Sequence, residues 1–153
     1  MPFSFYDNAP VATLAATQTS LVGSGDYTII DIPGCSLSLS AGVWFVGANF
    51  NSARVWTSAA SGQVDYQILY ALRDGTNGLL ETVIHRVQFE IVSGKQRAEY
   101  PMGVTKLLNL GSTTTVKMSG YTSPVVGANF ASGFRIDSGS GHNCTMYAIK
   151  VGA

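Results

Sequence analysis

The chain has 153 residues with nine basic and nine acidic side chains, so its formal net charge is zero. This length fits one domain able to bury roughly 68–70% of the surface its unfolded form exposes. Charged residues make up 12% of the chain against a usual share of about 25%. No basic excess exists to neutralise phosphates, which argues against nucleic acid as a partner, and the 46% apolar content argues against disorder. A neutral, charge-poor surface makes a lone monomer poorly soluble, so burial in an oligomer or larger particle is expected.

The N-terminus, MPFSFYDNAP, has neither a basic flank nor a long apolar run, so it does not read as a secretory signal. No segment reaches the roughly 18 apolar residues of a membrane span, and no membrane partner is expected. Residues 1–16 are expected to form an arm preceding a head domain over 17–153. Phe3, Phe5 and Tyr6 cluster before Pro10, either packing on their own domain or docking on a neighbouring protein. Val11, Leu14 and Gln18 hint at helical spacing.

From residue 17 onward, short β-segments alternate with Gly, Ser, Asn and Asp turns, as in all-β sandwiches. Residues 27–32 read as a strand closed by Pro33-Gly34. In residues 35–51, CSLSLSAGVWFVGANFN, Leu37 and Leu39 alternate with serines, Ala41-Gly42 turns the chain, and an apolar run follows over 43–50. The first half reads as a strand with one wet face and the second as a strand covered on both faces.

Residues 51–62 read as a polar loop containing Trp56. Then Val64, Tyr66, Ile68, Tyr70 and Leu72 share one strand face, with Asp65, Gln67 and Arg73 on the other. Asp74-Gly75-Thr76-Asn77-Gly78 gives a hairpin-type turn. The return strand over 80–92 sets Val83, His85, Val87, Phe89 and Ile91 against Arg86, Gln88 and Glu90. Further strands are expected over 104–110, 114–121 and 144–151, giving eight or nine in all and no helix. That number suits a two-sheet antiparallel jelly roll.

Catalytic motifs are missing: the chain has no G-x-S-x-G elbow, no H-E-x-x-H and no phosphate-cradling glycine loop. His85 lies on an apolar strand face, where a core or interface role outweighs a catalytic one. His142 and Cys144 are too few for a metal site, and Asp26, Asp31 and Asp137 lack calcium-loop spacing. No enzyme activity, metal or cofactor is expected. Cys35 and Cys144 sit beside apolar residues and read as buried free thiols, with a single bond between them the alternative. Trp44, Trp56, Tyr121 and Tyr147 are candidates for stacking on a sugar ring, against loop packing or a subunit contact for Trp56.

The order of these segments resembles the trimeric jelly-roll heads of bacteriophage structural proteins, which are related to the tumour necrosis factor and complement globular-head fold. CSLSLSAGVWFV over 35–46 looks like their strand, small-Gly turn and Trp-containing strand. YALRDGT over 70–76, STTTVKM over 112–118 and TMYAIKV over 145–151 follow in a similar order. The resemblance spans about residues 18–151. It implies a homotrimer, with Val43, Trp44, Phe45, Val46, Leu69 and His85 at the interface between protomers. Heads of this kind usually hang on a long fibrous stalk, which this sequence does not contain.

The expected function is a non-enzymatic virion structural protein at the virion surface, assembled in the host cytoplasm. It would be a trimeric capsid decoration or cement protein bound to a major capsid protein or other virion protein through the Phe3, Phe5 and Tyr6 arm. The alternative is a receptor-binding head of a tail fibre, whose Trp56 and Tyr121 contact host-surface saccharide.

Overall fold

A computed structural model describes residues 11–13, 18–19, 29–56, 62–91, 97–124, 133–136 and 144–153. Ten strands fall in these segments: β1 (Val11–Thr13), β2 (Gln18–Thr19), β3 (Ile30–Leu39), β4 (Gly42–Trp56), β5 (Gly62–Asp74), β6 (Leu79–Ile91), β7 (Arg97–Leu110), β8 (Thr114–Pro124), β9 (Gly133–Ile136) and β10 (Cys144–Gly152). They form two antiparallel sheets. The larger holds six strands in the order β1-β10-β4-β9-β2, with β7 along the other side of β4; the smaller runs β3-β8-β5-β6.

The longer strands alternate between sheets along the chain: β3 lies in the smaller sheet, β4 in the larger, β5 and β6 in the smaller, β7 in the larger, β8 in the smaller and β10 in the larger. Strands distant in sequence therefore pair, as β3 does with β8 and β4 with β10. This nested order is the double Greek key of a jelly roll. One apolar cluster lies between the sheets. Leu37, Leu39, Ile68, Tyr70, Leu72, Val116 and Met118 come from the smaller sheet, and Trp44, Val46, Ala48, Val104, Leu108, Met146 and Ala148 from the larger.

Alternation places these residues. Ile68, Tyr70 and Leu72 are each no more than 1% exposed because period-two geometry turns all three toward the core. The β5–β6 hairpin closes where the turn residues predict. Asp74 Oδ1 accepts hydrogen bonds from the Thr76 and Gly78 amides, both at 2.8 Å, and Asn77 takes a positive φ of 72°, a conformation its short polar side chain tolerates.

Several expectations are corrected. Pro33-Gly34 does not end a strand; β3 continues through it. Between Asp31 and Ser36 the register against β8 shifts, and Gly34 takes φ 78°. The irregularity turns both Ile32 and Cys35 into the core, which an uninterrupted strand would place on opposite faces. Residues 36–39 and 43–50 are not paired with each other; the chain crosses from one sheet to the other at Ser40-Ala41. Val11–Thr13 and Gln18–Thr19 are strands rather than helix, and β1 lies alongside β10, so sheet structure begins inside the expected arm. Trp56 belongs to β4 rather than a loop, its backbone paired with Arg97 and Gly133.

Candidate interaction face

The middle of the larger sheet positions the most distinctive surface of the molecule. Pairing of β4 with β10 and β7 sets its residues in rows across three strands. Ile149, Phe45 and Leu107 form one row, Tyr147, Gly47 and Thr105 the next, and Thr145, Asn49 and Gly103 a third. These rows face away from the core, because the intervening Trp44, Val46, Ala48, Met146 and Ala148 belong to the core cluster. Leu107 is 59% exposed and Phe45 37%. The three rows contain no acidic or basic side chain. Their centre is flattened at Gly47: a β-carbon there would overlap the Tyr147 ring, so the ring lies down across the glycine.

Within one chain the strand over 43–50 is covered on its inner face only; its outer face, with Val43 and Phe45, is where the expected second cover, a neighbouring copy, would lie. The expected trimer residues divide accordingly. Val43 and Phe45 lie on the outer side. Trp44 and Val46, 7% and 0% exposed, point into the protomer's own core and offer no surface to a neighbour, a consequence of strand alternation. The Trp44 indole is further fixed by donating to the Ser40 carbonyl at 2.9 Å, with Lys150 Nζ 5.6 Å from its ring centroid.

Leu69 lies in the other sheet and is only 8% exposed. His85 pairs through its backbone with Ile68; its side chain lies outside the described residues. So do Phe3, Phe5 and Tyr6, and the side chains of Trp56, Tyr121 and Cys144. Trp56 and Tyr121 fall in different sheets. Sequence reasoning missed Leu107 and Ile149 on this face; the signal was the apolar outer residues in β7 and β10.

The polar face of the smaller sheet is held by ion pairs. Arg86 grips Asp65 through Nε at 2.8 Å and through a second guanidinium nitrogen, while Gln88 donates to Asp65 Oδ2 at 2.8 Å. The Arg86 hydrogen bond holds the Asp65 carboxyl below its ordinary pKa. Lys117 bonds Asp31 at 2.7 Å. On the flank between the two sheets, Lys106 of β7 bonds Glu81 of β6 at 2.8 Å and lowers its pKa in the same way. Burial pushes the free Cys35 thiol up to about 11. Among the described residues no three His, Cys, Asp or Glu side chains gather to hold a metal ion.

No protein-family model matches the chain, and no curated protein matches it. Among solved structures it is similar to the VP2 subviral particle of infectious bursal disease virus, at 15% identity and TM-score 0.46, covering 95% of this chain and 33% of that one. A structure of the Gx strain of the same virus gives 15% identity and TM-score 0.44, covering 96% and 33%. The CBM22-1 xylan-binding domain of Paenibacillus barcinonensis Xyn10C gives 13% identity and TM-score 0.31, covering 92% and 86%. The chain thus spans about a third of the viral proteins' length. The fold assignment rests on this chain's own strand order.

Proposed function

We propose that the protein is a non-enzymatic virion structural protein, a trimeric decoration or cement protein on a phage shell. The observation that carries this reading is the charge-free outer face of β10-β4-β7 with its open apolar row of Ile149, Phe45 and Leu107, presented on a jelly-roll scaffold whose segment order resembles trimeric phage heads. Monomeric proteins rarely leave such contiguous apolar patches uncovered. Covering the face with protein stabilises the contact by about 25 cal/mol per Å² of apolar area, before the costs of association. Val43 and Phe45 contribute to that contact between copies. The segment with Phe3, Phe5 and Tyr6 grips the major capsid protein, and symmetry matching at a threefold site multiplies weak arm contacts into avidity.

The test is to mix purified protein with shells lacking it and image them. Added density at threefold positions is the expected result. No binding to shells, together with a positive glycan screen, overturns the reading in favour of a receptor-binding head. For that second reading, which uses Trp56 and Tyr121, no observation among the described residues speaks.

A further inference from the structure

We draw no further inference here: the strongest candidate, the open apolar row of Ile149, Phe45 and Leu107 on the outer face of the larger sheet, is an unpartnered face, and nothing in the structure shows what covers it.

Discussion

Lys106 Nζ lies 2.8 Å from Glu81 Oε2, tying the edge strand of one sheet to the edge strand of the other. Lys106 pairs along the backbone with core-facing Val46, and Glu81 with core-facing Leu72. Both side chains thus lean toward the gap between the sheets, and their ion pair closes its open flank. Glu81 and Asp65 are held below their ordinary pKa values of 4.5 and 3.8 by hydrogen bonds from Lys106 and Arg86. A carboxyl whose folded pKa is depressed adds stability above its unfolded pKa and loses it as pH falls through the folded value. The urea midpoint is expected to be level near neutrality and to drop below about pH 4.5. Asp65→Asn is expected to shrink that drop, as measured by urea titrations across pH.

Gly47 and Tyr147 form a second coupled pair. Gly47→Ala places a methyl group where the far end of the Tyr147 ring lies; the ring must swing off, at an expected cost of about 1 kcal/mol. Tyr147→Ser alone costs less, and in the double variant the alanine penalty disappears. A double-mutant cycle from thermal or urea unfolding measures this; additive losses would contradict the packing described.

Cys35 is fully buried, and its raised pKa keeps it as thiol well above neutrality. Since the thiolate is the reactive form, Cys35 is expected to resist alkylation at pH 8 in the native protein and to react promptly in denaturant. Peptide mapping after pulse alkylation reads this residue separately from Cys144.

In the core, Met118→Ala is expected to cost about 2–5 kcal/mol, because it opens a cavity at a fully buried position between two sheets. Trp44→Phe removes the donor to the Ser40 carbonyl and is expected to cost about 1–2 kcal/mol. Denaturant midpoints check both, with the Met118 loss the larger.

Much of the fold is legible in the residues. Val64 to Leu72 alternates cleanly because β5 is central, with the core on one side and the Asp65–Arg86–Gln88 network on the other. The hairpin at Asp74 is legible because its turn chemistry is local. Residues 43–50 hide their alternation because the outward Val43 and Phe45 are as apolar as the inward Trp44 and Val46. That same masking marks the open apolar row of Ile149, Phe45 and Leu107 once the register is known. Trp56 was misplaced because the polar Asn51-Ser52-Ala53-Arg54 run reads as loop, while pairing on both sides by β7 and β9 extends the strand. Ile84 falls on the Arg86 side of β6 by alternation, opposite Val83 and His85, and its backbone pairing with Leu69 agrees.

Pro33 has one more consequence, on the edge of the smaller sheet. Among the described residues β3 pairs only with β8, and an edge without a second partner is the kind that recruits further strands into fibrils. Proline offers no amide there, and the irregular stretch around Gly34 breaks the spacing an incoming strand would need. A further strand would therefore find a poor template along this stretch, which lowers the aggregation risk of a chain so short of charge.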